Sequence, residues 1–206
     1  SMEIDFEDEW VVINVQQTGY YLVNYDEDLL ESIVTQLNRN HSVIHFINRF
    51  FLFYNYSKLV FHKFAKFSSF LKLFSYLENE NDPTVWDKVS SCIFILLQSF
   101  KGFWFYEDFK IYIKDSIENA YLNFGYDFEA RLTYLACLTG VEECLRDALE
   151  EFVSTMDNFD DEAHDNFFCN GLRFANASIY WKTFDIMKKT ENYQLKEKLI
   201  KGLVCV

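Results

Sequence analysis

Pro83 is the only proline in 206 residues, and just six glycines accompany it. Such a chain has little material for linkers or for the tight turns that an all-β fold repeats, so long helices are the first expectation. The proline itself marks a helix start, because Asp82 offers a capping carboxylate and proline suits the first helical position. The segment it opens, "TVWDKVSSCIFILLQSF", directs Val85, Trp86, Val89, Ile93, Leu96 and Leu97 toward a core. Asp26 can cap "EDLLESIVTQLN" in the same way, with Leu29, Leu30, Ile33, Val34 and Leu37 as the apolar stripe. Later helices are expected to begin near Glu107, Asp127, Val141, Asp160, Ala177 and Tyr193, most of them about 12 to 20 residues long. About ten helices with short connectors predict an all-α fold, an α-solenoid of antiparallel helix pairs in an armadillo/HEAT-like superhelix. No strict repeat recurs at a fixed period, so the repeats are expected to be structural only.

The first 25 residues read differently from the rest. "WVVINVQQTGYYLVNY" alternates, is rich in Val and Tyr, and carries Gln17-Thr18-Gly19 as a turn, which predicts a β-hairpin. A lone hairpin is marginal in water, so it is expected to be the remnant of a larger sheet. Two parts follow: residues 1–25 as a hairpin segment and 26–206 as a helical domain. Ser1-Met2 reads as a cloning remnant ahead of an internal segment and is left out of the fold reasoning.

The formal net charge of -13 argues against a nucleic-acid partner and against adsorption to anionic lipid. No apolar run reaches transmembrane length; "SSCIFILLQSFKGFWFY" and "RFFLFYNYSKLVFHKF" are both interrupted by polar residues.

Motifs for catalysis are missing. His41 and His45 stand at the i, i+4 spacing of a zinc-protease pair, but Ser42 occupies the position where the general-base Glu is required. His62 and His164 have no ligand pattern around them. There is no Gly-x-Ser-x-Gly elbow, no phosphate-binding glycine loop and no Cys-x-x-Cys pair. The acidic stretches "NFDDEAHD" and "EIDFEDE" lack the glycine-bearing loop of an EF-hand and read as solvated helix starts. The aromatic residues between Phe46 and Phe74 read as core or interface, with an apolar-ligand pocket as the weaker option.

Cys137 and Cys144 lie seven positions apart with Gly140 between them. In an unbroken helix that spacing is about 10.5 Å, too far for a disulfide. Thr139-Gly140 offers a break, and a helix-turn-helix corner there would permit a bridge. On geometry alone two buried thiols remain the other reading.

Several stretches together resemble one family. "WVVINVQQTGYYLVNYDEDLLESIVTQL", "INRF", "SYLENENDPTVWDKVSSCI", "YLACLTGVEECLRDALEEF" and "NFFCNGLRFANASIYWKTFDIMKKTENYQLKEKLIKGLVCV" occur in the order found in aminopeptidase N-type zinc aminopeptidases. The segment they cover is similar to the end of that family's β-sandwich and its C-terminal helical domain. The resemblance implies disulfides Cys137–Cys144 and Cys169–Cys205, with Cys92 a free thiol on an apolar helix face. It also implies an extracellular or secretory-lumen setting, with which the Asn-x-Ser sequons at Asn40, Asn55 and Asn176 agree as candidate N-glycosylation sites.

The family's His-Glu-x-x-His helix, distal Glu ligand and Gly-x-Met-Glu-Asn loop do not occur in this chain. Zinc is therefore expected in the parent enzyme and no cofactor here, and the chain alone is expected to be inactive. The resemblance implies a non-catalytic domain that caps the active site, holds the distal part of a peptide substrate and limits access. Its expected partners are the catalytic and β-sandwich domains of the same parent, the peptide, and a second copy in a homodimer. Two departures stand out: Leu22 where the family carries Arg, and "FFLFYNYS" after Asn48-Arg49 where it carries an acidic pair. Losing both reads as removal of a buried charged network. That motivates an alternative, a cell-surface receptor or interaction module of an inactive relative.

Overall fold

A computed structural model describes residues 10–125, 130–159 and 165–205, and among these no residue is in a strand. The all-α class is observed. The described α-helices are α1 (Glu27–Asn40), α2 (Phe46–Phe61), α3 (Phe67–Lys72), α4 (Pro83–Phe100) and α5 (Tyr106–Phe124). They continue as α6 (Ala130–Thr139), α7 (Glu142–Thr155), α8 (Asp165–Arg173), α9 (Ala177–Lys189) and α10 (Tyr193–Val204). Short 3-10 segments occupy Val15–Gln17, His41–Val43 and Leu73–Asn79. The helix starts expected at Asp127 and Asp160, the acidic stretch before Trp10 and most of "NFDDEAHD" with His164 lie outside the described residues.

The expected hairpin is not formed. Where its turn was read, Val15–Gln17 is a 3-10 turn with Asn14, Gln16 and Gln17 at positive φ. Asn14 closes the loop, accepting from Gly19 N–H at 2.8 Å and donating through Nδ2 to the Gly19 carbonyl at 2.9 Å. The two-residue alternation is real, but its partner is a helical surface. Val23 and Tyr25 are buried while Leu22 and Asn24 face solvent. Gln16 N–H donates to Asn48 Oδ1 at 2.6 Å and Asn24 Nδ2 to the Phe64 carbonyl at 3.0 Å. A two-stranded ribbon has too little to bury by itself, whereas a single extended segment laid on helices buries every second side chain.

The chain divides into two compact units, Ser1–Asn123 and Phe124–Val206. In the first, both sequence-read caps are formed. Asp26 Oδ1 accepts from Leu29 N–H at 2.8 Å, and Asp82 Oδ1 from Thr84 and Val85 N–H at 2.8 and 3.3 Å. The stripes behind them are buried: Leu30, Ile33, Val34 and Leu37 on α1, and Val85, Trp86, Val89, Ile93 and Leu97 on α4. Helices α2 and α4 pack together and run in the same direction. Tyr54 lies under the Lys88 ammonium at 4.7 Å, and one turn on Ser57 meets Cys92. The return between them is made by α3 and Leu73–Asn79. Phe53 of α2 meets Phe70 and Phe74 edge-on, with ring centroids 6.2 and 5.7 Å apart, so this part of the aromatic stretch is core.

In the second unit α8 is wedged between α7 and α10, around Phe152, Met156, Phe168, Leu172, Leu199 and Leu203. Glycine makes the wedge possible. A Cβ at Gly202 would stand 2.8 Å from Phe168 Cβ and 3.1 Å from the Phe168 carbonyl oxygen, and one at Gly171 would collide with Phe152. Gly202→Ala is therefore expected to lower unfolding stability by about 1–3 kcal/mol through overpacking, read as a fall in the urea midpoint. An unchanged midpoint would mean that α8 and α10 separate without cost.

Candidate functional site

The histidine pair does not form a metal site. His41 begins the 3-10 segment after α1, while His45 precedes α2 and caps it, Nδ1 accepting from Ile47 N–H at 3.3 Å. The chain turns between them, so the i, i+4 spacing never becomes one helix face. Among the described residues no group of three or more His, Cys, Asp or Glu stands ready to hold a metal ion.

The cysteines are brought together as pairs. Residues 136–141 end α6 in a Schellman arrangement: Gly140, at φ 81°, donates to the Cys137 carbonyl at 3.2 Å and Val141 to the Ala136 carbonyl at 2.9 Å. Only a residue free to adopt that φ without strain turns the chain back here, and the turn places Cys137 and Cys144 with Cα atoms 5.3 Å apart, as a disulfide. Arg173 Nη1 donates to the Cys137 carbonyl at 2.9 Å, setting a cation at the carboxyl end of α6. Cys169 of α8 and Cys205 after α10 form the second disulfide, with Cα atoms 5.5 Å apart. Cys92 is free and buried, and burial pushes its thiol pKa up.

The sequons separate by environment. Asn40 and Asn176 are exposed, at the end of α1 and at the start of α9. Asn55 is buried within α2, and its Oδ1 has no hydrogen-bond partner.

Sequence reasoning missed a buried polar cluster among the described residues of the first unit. Arg49, buried on α2, donates to Glu80 through Nε at 2.7 Å and Nη2 at 2.9 Å, the forked geometry that matches guanidinium to carboxylate. Its Nη1 donates to the Ile44 and His41 carbonyls. Glu80 also accepts from the Tyr76 hydroxyl at 3.1 Å and from the N–H groups of Asn81 and Asp82 at 3.0 and 2.9 Å. Its own carbonyl takes the Trp86 indole N–H at 2.9 Å. Burial alone would lower the Arg49 pKa, but the adjacent Glu80 carboxylate more than offsets it and holds the guanidinium charged. Burial first, and then the Glu80 charge, push the Tyr76 hydroxyl well above its ordinary range, so it remains a donor. The carboxylate that pairs with Arg49 thus comes from Glu80, 31 positions on. Leu22 is half exposed at 43%.

A cleft of about 70 Å3 opens among Phe74, Leu77, Ile93, Tyr112, Ile113 and Ser116. An engineered apolar cavity that takes benzene is about 150 Å3, so this one is too small for a lipid-sized ligand. What the chain displays is two braced helical units, and no catalytic constellation among the described residues.

Comparison with known proteins places this arrangement. The family model described as the ERAP1-like C-terminal domain matches residues 10–206. Among curated relatives, an aminopeptidase N of Plutella xylostella is 28% identical over 215 residues, covering 96% of this chain and 22% of that protein. The thyrotropin-releasing hormone-degrading ectoenzyme of Mus musculus is 23% identical, covering 95% of this chain and 20% of that protein. Human aminopeptidase N is 29% identical over 161 residues, covering 71% of this chain and 16% of that protein. The chain spans about a fifth of the length of the curated relatives it matches. The chain belongs to the ERAP1-like C-terminal domain family, the helical domain of aminopeptidase N-like enzymes.

Proposed function

We propose that this chain serves a larger zinc-dependent aminopeptidase as its non-catalytic C-terminal domain, capping the active site, holding the distal part of the peptide and limiting access. The match of the family model across residues 10–206 carries the reading, and curated relatives such as the Plutella xylostella aminopeptidase N are about five times longer. Zinc and the water it activates would reside in the remaining part of the parent. The parallel packing of α2 and α4, with a return between them, supports a stack of alternating helices of the α-solenoid kind. Such stacks present extended concave surfaces, which suits a cap over a peptide.

Two disulfides and relatives named as ectoenzymes support an extracellular or lumenal parent. No described helix is long and apolar enough to cross a membrane. Reading the upstream part of the parent for the His-Glu-x-x-His motif separates the receptor alternative from this reading.

The test has two arms. Pure, zinc-supplied chain is expected to release no aniline from an aminoacyl-anilide above a protein-free blank. In the intact parent, a peptide with a photoreactive group near its carboxyl end is expected to cross-link within residues 26–206. Chelator-sensitive turnover by the isolated chain, or cross-links confined to the upstream domains, would overturn the reading.

A further inference from the structure

Three sequons of one pattern occupy two different physical settings, and the difference decides which can carry sugar. Transfer of an N-linked glycan joins the side-chain Nδ2 to the anomeric carbon of a lipid-linked oligosaccharide diphosphate. The new N–C bond forms as the sugar's C–O bond to the diphosphate breaks, Nδ2 gives up one proton, and the lipid diphosphate leaves with the bonding pair. The product keeps its carbonyl oxygen but needs open solvent around the nitrogen. A usable position must therefore hold its asparagine by the oxygen and leave the nitrogen free.

Asn40 meets that condition. Its Oδ1 accepts from the Ser42 N–H at 3.1 Å and from the Ser42 hydroxyl at 2.6 Å, capping the 3-10 segment that follows α1. Asn176 meets it too, with Oδ1 accepting from Ile179 N–H at 3.0 Å to cap α9. Both residues are exposed, and among the described residues no hydrogen bond engages the Nδ2 of either. Asn55 fails it. The residue is 4% exposed on the buried side of α2, between Leu52 and Leu59, and its sequon hydroxyl, Ser57, donates back to the Tyr54 carbonyl at 2.8 Å. A glycan there would have to occupy the core, so a chain that received one could not close α2 onto its neighbours.

We propose that the folded domain carries N-linked glycan on Asn40 and Asn176 and none on Asn55. The same hydrogen bonds that cap the 3-10 segment and α9 persist after modification, because capping uses the oxygen and glycosylation the nitrogen. The two capped corners then remain open to solvent in the parent, and neighbouring domains must dock elsewhere.

The proposal rests on the reading of the parent as a secretory-pathway protein, and the experiment separates the two. The 206-residue chain is secreted behind a signal peptide from cultured animal cells and treated with an N-glycan amidase in heavy-oxygen water. Peptide mapping is expected to find labelled aspartate at positions 40 and 176 and unmodified asparagine at 55. Ser42→Ala and Ser178→Ala should each remove one glycan mass from the intact protein, while Ser57→Ala should remove none. Label at 55 in the folded, secreted protein, or a bare Asn40 or Asn176, overturns the proposal. The cysteines of the same sample read the compartment independently: free thiols at 137, 144, 169 and 205 would count against the secretory reading.

Discussion

Replacing Glu80 by Ala is expected to cost the first unit about 3–5 kcal/mol, the largest single-residue effect anticipated in this chain. The carboxylate accepts from two guanidinium nitrogens, one hydroxyl and two backbone N–H groups, and its side chain is fully buried. Its removal leaves Arg49 charged and enclosed without its carboxylate partner. Urea unfolding followed by the signal of Trp86, which donates to the Glu80 carbonyl, reports on the same cluster. The companion Arg49→Met/Glu80→Leu double variant is expected to recover most of the loss, because the penalty belongs to the unpaired charge and not to the absence of the pair. A Glu80→Ala loss below about 1 kcal/mol would mean that Arg49 swings out to solvent, and the network would then be ornamental to stability.

The second large effect concerns the staples. Removing Cys169–Cys205 as a paired Ala variant is expected to cost about 4 kcal/mol, against about 2 for Cys137–Cys144. The ordering follows from loop length, since the two bridges close separations of 36 and 7 residues and the longer one removes more freedom from the unfolded chain. Burial points the other way: Cys137 and Cys144 are both fully buried, whereas Cys205 is exposed. Equilibrium unfolding of the two paired variants therefore separates the accounts. Should the short bridge prove the costlier to lose, packing at the Gly140 corner and not chain entropy would dominate.

Much of the fold was readable because it is local. Asp26 and Asp82 announce helices within three residues of the bonds they make, and Gly140 sits at the left-handed position its corner requires. The hairpin misled because a period of two states only that alternate side chains are buried, not what buries them. Val23 and Tyr25 obey the period on a helical surface. Long-range relations were out of reach. Nothing near Arg49 indicates that its carboxylate lies 31 positions on, and no local pattern shows that Gly171 and Gly202 are glycines because helices meet there. Asn55 is an intermediate case. It falls three residues after Leu52 and four before Leu59, on the apolar stripe of α2, and that spacing alone argues against its sequon. As for the site, the family was legible from the order of its segments.

Five cysteines with two bridges leave one thiol over, and an odd thiol in an oxidising compartment is an invitation to mispairing. Exchange requires a thiolate that can reach a disulfide sulfur, and Cys92, shut between α4 and α2, satisfies neither condition. Its position along the chain adds a matter of timing. Cys92 belongs to the unit ending at Asn123, and the other four cysteines all lie in the unit that follows it in the chain. Domains fold in order of synthesis, so the unit that encloses the surplus thiol is the first of the two to emerge. Enclosing Cys92 in the earlier unit thus reduces the pairing of the remaining four to a choice among three connectivities instead of fifteen.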